Sequence, residues 1–514
     1  MSAPKPIRWW PAAIISALGA AAYLFLIFSP TENQQERTFQ YLLVIMATGL
    51  LLFLWAMLFS RLGWKRKLGV LGTLIALVAA MAGLFRIESV SGDMVPILAF
   101  RWSGPDSLEG GAGAAAVETS PNDFPQFLGQ NRTGEVAGVT LDPDWEANPP
   151  KELWRRKVGD ACSGFVVVGN AAVTFEQRRG DAGAEQVVVR YDLETGDVVW
   201  SHGLPGAFES VIGGNGPRST PTVADGKVFA FGPLGTLRAL DLVSGSLVWQ
   251  RDVAGDHGVK RPEWGFASSP LVIDGEGGPR VVVSIGARDA SLLAFRADTG
   301  EPVWQAGDDR VGYSSPVLRT VAGVDQIVIF NGSSVAGHDP ATGDRLWTYP
   351  WSGDQPNVAL PLVIDGDKLL VSSGYGIGSE LLQLAPTPAG EWSVSQVWQS
   401  PRLKAKFTNP VIHGGRVYGL DDGVMVCIDP ADGSRCWKRG RYGHGQNLLV
   451  GDKLIVQGES GEVMLVEATP EAFNELATLE ALDGKSWNPP ALSGRFLLVR
   501  NSTEAVVYEL PTLG

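Results

Sequence analysis

The chain has 514 residues, with 42 Lys and Arg against 55 Asp and Glu, a length that exceeds one ordinary domain unless the chain is built from repeats. Residues 1–102 hold nine basic and four acidic residues (net +5), and the rest holds 33 basic and 51 acidic (net −18). A part that acidic repels phosphate backbones, which argues against a nucleic-acid partner. The 63 Gly, 33 Pro and 17 Trp describe a turn-rich globular part, and three Cys are too few for a disulfide-built scaffold.

Three apolar stretches open the chain at 9–28, 39–59 and 68–85. Each is close to the ~20 residues a helix needs to cross a bilayer. The first exceeds the apolar region of a signal peptide, and two more follow it, so residues 1–102 are predicted to be a three-helix transmembrane anchor. No ionisable residue lies inside the spans, which leaves no proton path or ion channel. Lys5 and Arg8 precede the first span, and Arg61, Lys65, Arg66 and Lys67 crowd the second connection. The first connection has only Arg37, beside Glu32 and Glu36. Positive charge stays inside, so the N-terminus is predicted cytoplasmic and everything after the third span exterior. Trp9, Trp10, Trp55 and Trp64 mark span ends, where aromatic rings favour the interface. Residues 103–122 are small and polar and are predicted to form a flexible tether.

From 123 to 514 a pattern recurs: a lead-in of small residues or Pro, two or three short β-rich runs, then Asp-x-x-x-Gly and a Trp. It runs Asp192 to Gly196 with Trp200, and Asp241 to Gly245 with Trp249. A compressed copy has Asp298, Gly300 and Trp304; Asp339 to Gly343 with Trp347 and Asp429 to Gly433 with Trp437 complete the set. Trp398 marks a copy whose turn has diverged. Successive Trp residues from 154 to 437 are 46, 49, 55, 43, 51 and 39 apart, the period of a four-stranded propeller blade. Within each copy, Asp caps a hairpin turn, Gly takes positive φ, and the Trp packs on a neighbouring blade. Lead-ins at Gly164, Pro221, Pro270, Pro316, Pro361, Pro410, Gln446 and Pro490 predict an all-β eight-bladed β-propeller. The last run, 504–510, has no Asp-x-x-x-Gly and Trp after it, so the strand around Trp154 is expected to complete the eighth blade and close the ring.

This repeat resembles that of the pyrroloquinoline-quinone (PQQ)-type propellers, which include quinoprotein alcohol dehydrogenases and an outer-membrane assembly lipoprotein. Phe124 to Gly134, Gly214 to Pro221, Ser372 to Gly378 and Val466 to Pro470 further resemble the PQQ-like propeller proteins of planctomycetes and related bacteria. The resemblance covers about 124–510 and implies a fold more than an activity. The dehydrogenases carry an adjacent Cys-Cys pair over the quinone and Glu/Asn/Asp calcium ligands. This chain has no Cys-Cys pair, and no residues match those ligands by position. PQQ with calcium is therefore the cofactor of an alternative reading, a quinoprotein oxidoreductase acting on an alcohol or sugar. The first reading is a binding or scaffold module for an envelope protein, glycan or small ligand.

Loops leading into the innermost strands of a propeller gather at one mouth of its channel. Those of this chain hold Glu209, Asn215, Arg218, Trp264, Tyr313, Asn357, Lys406, Asn409, His444, Trp487 and Asn488. Such groups hold a flat anion by stacking and charge-assisted hydrogen bonds, or they pack and line a hydrated channel. Arg218, in a Gly-rich loop, is the leading candidate. Pairing Asp429 with Ser434 would set Cys427 opposite Cys436, within reach of a disulfide; the alternative is two reduced thiols. Cys162 is left over as packing. Gly374 to Gly378 reads as a turn, five scattered His show no metal-ligand spacing, and no nucleophile elbow or P-loop occurs.

Overall fold

The apolar stretches coil, a form in which each segment satisfies its backbone groups within itself. The computed structural model describes residues 7–29, 34–101, 117–180 and 183–513, which fall into two units, Met1–Gly104 and Pro105–Gly514. In the first unit the helices are Trp10–Phe28, Gln34–Leu54 continued by a π-helical turn Trp55–Phe59, and Trp64–Leu84. All three are long and apolar enough to cross a membrane. The second and third begin four or five residues earlier than expected, so Lys65, Arg66 and Lys67 lie in a first helical turn. The Trp55 indole donates to the Arg8 carbonyl at 3.1 Å, and Tyr23 stacks on Tyr41 with ring centroids 4.8 Å apart. Straight after the third helix comes a hairpin that the sequence reading did not foresee, Phe85–Val90 paired with Pro96–Phe100. Its signal was there: Phe85 and Ile87 face Phe100 and Leu98 across a Ser-Gly-Asp turn.

The second unit holds, among the described residues, eight antiparallel sheets of four strands, one of which gains a short fifth strand. The first strands of neighbouring sheets touch: Phe165–Val168 meets Thr222–Ala224 on one side and Ala491–Ser493 on the other. That is a propeller. Glu504–Glu509 pairs with Lys151–Lys157, so the strand bearing Trp154 joins the last sheet as the sequence led us to expect. Residues 117–122, expected to belong to the tether, lie on the propeller instead. Val117 packs against its core, and the Asn122 carbonyl accepts from Ser493 Oγ at 3.0 Å. The rest of the expected tether up to 116 lies outside the described residues.

Turn and Trp prove to be one device shared by two sheets. Asp192 Oδ1 accepts from the Glu194 and Thr195 amides, and Gly196 sits at φ 72°. Trp154 of the eighth sheet lies on that glycine: a Cβ at Gly196 would come within 2.5 Å of the indole. Its Nε1 donates to the Leu193 carbonyl at 2.8 Å. Trp200 uses Gly245 and Leu242 in the same way, Trp249 uses Gly300 and Ala297, and Trp398 uses Gly433 and Pro430. Trp347 faces the sheet whose turn diverged and bonds Gln326 of its own sheet instead. Trp154, Trp200, Trp249 and Trp398 thus bury a large apolar area and satisfy their N–H groups at inter-sheet seams.

A β-bulge accompanies this device in every outer strand, one residue before the Trp position. It corrects the cysteine register. Ile428 pairs with Arg435 but Cys427 pairs with Trp437, and Cys436 is the extra bulged residue. Both thiols are free, Cys427 buried and Cys436 exposed.

One end of the channel is filled by the chain itself. The segment from Phe124, bonded to Val167, runs to Glu135–Val136, which lies parallel to Gln446–Val450. Between them Arg132 is fully buried and donates to the carbonyls of Ser269 at 3.1 Å, Pro316 at 2.8 Å and Pro270, and to Gln126 Oε1 at 2.8 Å. Burial, with Arg319 beside it, pulls its pKa down to about 9.

Candidate functional site

The lead-in loops first have to hold eight sheets together. The Gly164 amide donates to Thr220 Oγ1 at 3.0 Å, the Thr220 amide to Ser269 Oγ at 3.0 Å, and the Ser269 amide to Ser315 Oγ at 2.9 Å. Ser314 Oγ continues to the Ala359 carbonyl, and the Leu360 amide donates to Asn409 Oδ1 at 2.8 Å. Thr408 Oγ1 bonds Asn447 Oδ1, Gln446 Nε2 reaches the Trp487 carbonyl, and Asn488 Nδ2 donates to the Ala161 and Ser163 carbonyls at 3.0 and 2.7 Å. Every neighbouring pair of sheets is stapled at this level. Asn357 plays a similar part, donating to the Asn331 carbonyl at 2.8 Å and accepting from Ser373 Oγ. Three of the amides expected at a ligand site are therefore buried fasteners.

Arg218 is also committed. Its Nη2 donates to the carbonyls of Gly213 at 2.6 Å and Gly214 at 2.9 Å, and Nη1 to that of Gly216 at 3.1 Å. It stacks on Phe208 at 4.7 Å, whose ring also lies 5.0 Å from the Arg261 guanidinium. Burial lowers its pKa. Asn215 accepts from the Ser210 amide and donates to Asp160, fixing the same loop. Glu209 pairs with Arg179 at the surface.

Two arcs of aromatic and cationic groups remain at the mouth. In one, Trp264 and Tyr313 stack with centroids 5.1 Å apart, and the Tyr313 hydroxyl accepts from the Trp264 amide at 3.3 Å. The buried Trp264 indole N–H has no partner among the described residues. In the other, Lys406 Nζ lies 4.7 Å from the Tyr375 ring centre and 5.7 Å from that of Phe407. Phe407 meets Trp487 at 4.7 Å and His444 at 5.7 Å, and Lys485 covers Trp487 at 4.1 Å. Glu459 ties this arc down: its Oε1 accepts from Trp487 Nε1 at 2.8 Å and its Oε2 from the His444 amide at 3.0 Å. Tyr375 and Tyr313 feel each other electrostatically, and burial raises both hydroxyl pKa values. What this surface offers is half-buried ring faces with the Lys485 ammonium among them, suited to stacking on a polar partner.

Of the residues expected at the mouth, Trp264 meets Tyr313, and Lys406, His444 and Trp487 come together around Phe407. Phe208, Arg261, Tyr375, Phe407, Glu459 and Lys485 were not among the expected residues. Tyr375 and Glu459 stand in turns between the second and third strands of their sheets. Such turns reach the same end as the lead-in loops, because two strands return the chain to its starting side. Counting that parity would have found them.

A family model described as outer membrane protein assembly factor BamB, built on PQQ repeats, matches residues 144–263 and 184–439. The outer membrane protein assembly factor BamB of Burkholderia pseudomallei is 24% identical over 366 residues, covering 68% of this chain and 85% of that protein. The 1-butanol dehydrogenase (cytochrome c) of Thauera butanivorans is 28% identical over 168 residues, 30% of this chain and only 22% of that enzyme. A europium-containing methanol dehydrogenase structure superposes with a TM-score of 0.56 at 12% identity, over 75% of this chain and 98% of that one, a likeness of fold. With the matched segments spanning more than half of the chain and the Trp-on-Gly seams they encode in place, the chain belongs to the PQQ-repeat propeller family of the BamB model.

Proposed function

We propose that this protein is a membrane-anchored binding scaffold of the cell envelope. Residues 1–102 form a three-helix anchor in the cytoplasmic membrane with the N-terminus inside, and residues 123–514 form an eight-bladed PQQ-repeat propeller on the outer side. Its mouth receives an envelope protein, a glycan or a small polar ligand. The carrying observation is the division of labour at that mouth. Amides and Arg218 are spent on holding the loops, while half-buried rings such as Trp487, Phe407 and Tyr375, with Lys485 over Trp487, line the surface. A surface of that kind docks a partner without demanding a reacting group. The BamB relatives are named for outer-membrane protein assembly, which supports a scaffold.

The similarity to alcohol and butanol dehydrogenases favours the second reading, a quinoprotein oxidoreductase. A quinone with calcium needs oxygen donors converging on the ion. Asn357, Asn409 and Asn488 face neighbouring backbone instead, and Glu459 is engaged by Trp487 and His444, so these donors do not fit that group.

The test has two arms. A photo-crosslinking residue placed at Phe407 in cells is expected to capture one discrete envelope partner, with the same residue at the exposed Glu194, in a turn between third and fourth strands and so at the opposite end, as control. Purified protein given PQQ and calcium is expected to show neither saturable binding nor dye-linked alcohol oxidation; turnover there would overturn the scaffold. Orientation is read by a phosphatase fused after Gly514, expected to be active outside the cytoplasm.

A further inference from the structure

Cys427 and Cys436 are the chemistry that the scaffold reading leaves unused. Cys427 lies on Val424–Ile428, fully buried, with Tyr418 directly opposite on one side and Trp437 on the other. The bulge inserts Cys436 beside Trp437, so these two residues together stand opposite Cys427 across the ladder, and the two thiols act on each other electrostatically. Thus an exposed thiol and a buried thiol share one spot on adjacent strands. Tyr418 also approaches Cys427, although its buried hydroxyl makes no conventional hydrogen bond among the described residues. Trp437 belongs to the same cluster, 6.0 Å from the Tyr418 ring, and its Nε1 donates to the Thr469 carbonyl of the next sheet at 2.8 Å.

We propose that Cys427 and Cys436 are a reversible dithiol–disulfide couple, opened and closed by exchange with an external disulfide at the exposed Cys436. This rests on the reading that the propeller faces an oxidising compartment. The Cys436 thiolate attacks one sulfur of the external disulfide, whose S–S bond breaks and releases one thiol. Cys427 then gives its proton to solvent and attacks the Cys436 sulfur of the mixed disulfide, releasing the second thiol. Two protein thiols lose two electrons and two protons, and one external disulfide becomes two thiols. The order follows from access and acidity: burial and the neighbouring Cys436 push the Cys427 thiol up to about 12, which makes it the resolving partner. The bond would enclose only the hairpin between 427 and 436, already ordered by the Asp429 turn, so it removes little chain entropy. Its consequence is local: it ties the bulge that carries Trp437 and therefore the seam between the sixth and seventh sheets.

The experiment uses the full chain in detergent, reduced, then treated with oxidised glutathione, denatured in N-ethylmaleimide and digested with trypsin. Cleavage at Arg435 puts Cys427 and Cys436 on separate peptides. The expected result is a joined pair of those peptides and a fall from three alkylated thiols to Cys162 alone. The joined pair should be lost in Cys436→Ser and retained in Cys162→Ser. Three alkylated thiols after oxidation, or a link through Cys162, overturns the couple. The same mapping on acid-quenched cells separates the two readings. A link formed in the test tube and absent in cells leaves the couple standing and overturns the exterior placement.

Discussion

The two ends of the propeller channel solve opposite problems. At the filled end Arg132 is buried among neutral carbonyls from the third and fourth sheets, so every donor is spent on structure. At the mouth cations lie against rings: Lys406 is buried beside Tyr375 and Phe407, Lys485 covers the half-buried Trp487, and amides and hydroxyls fasten the sheets. A buried cation with backbone partners marks a stability device, whereas a half-buried cation over a half-buried ring, as at Lys485 and Trp487, leaves a face for something else to meet.

The comparison breaks most visibly at Arg132. Arg132→Met is expected to cost about 3 kcal/mol, because several buried carbonyls lose their donor at about 1–3 kcal/mol each. Thermal or urea unfolding in detergent reads this out, and a change within ~0.5 kcal/mol would show the filled end to be ornamental. A smaller effect is expected beside the mouth at Asp421, which bonds Lys404 at 3.1 Å and Lys438 at 2.8 Å. Burial alone would raise its pKa, but the two lysines reverse that and hold it below 3.8. Its contribution is therefore present above about pH 4 and is lost as pH falls through the depressed folded value. Asp421→Asn should destabilise by about 1–3 kcal/mol at neutral pH and flatten the acid limb of the stability curve; an unchanged acid limb would remove Asp421 from that role. The smallest folding effect is expected at the mouth itself. Trp487→Leu should cost about 1 kcal/mol, the worth of its bond to Glu459, while abolishing capture of the partner by a crosslinker at the neighbouring Phe407. A large loss of stability with capture intact would make Trp487 a packing residue.

Much of the architecture could be read from particular residues. Asp241, Gly245 and Trp249 announce a hairpin and its outer strand, since a turn with positive φ and a large ring on a short period have few other uses. Trp154 without a preceding sheet announced the closing strand. The site was less legible. Asn409 and Asn488 look alike as ligand groups or as staples, and only the neighbouring sheet decides between the two. Arg218 looked free because its acceptors are the carbonyls of its own loop, which carry no residue-specific signal.

The amino-acid order by itself determined the three membrane-length helices, the repeated β-sheets and the strand that completes the last of them. Those follow from local periodicity and turn chemistry, which act within a few residues. Tertiary structure alone decided the Arg132 plug, the bulge that sets Cys427 against Trp437, and the arcs of rings at the mouth. Each brings together groups from different sheets, and such contacts are settled by the closing of the ring rather than by any single stretch of chain.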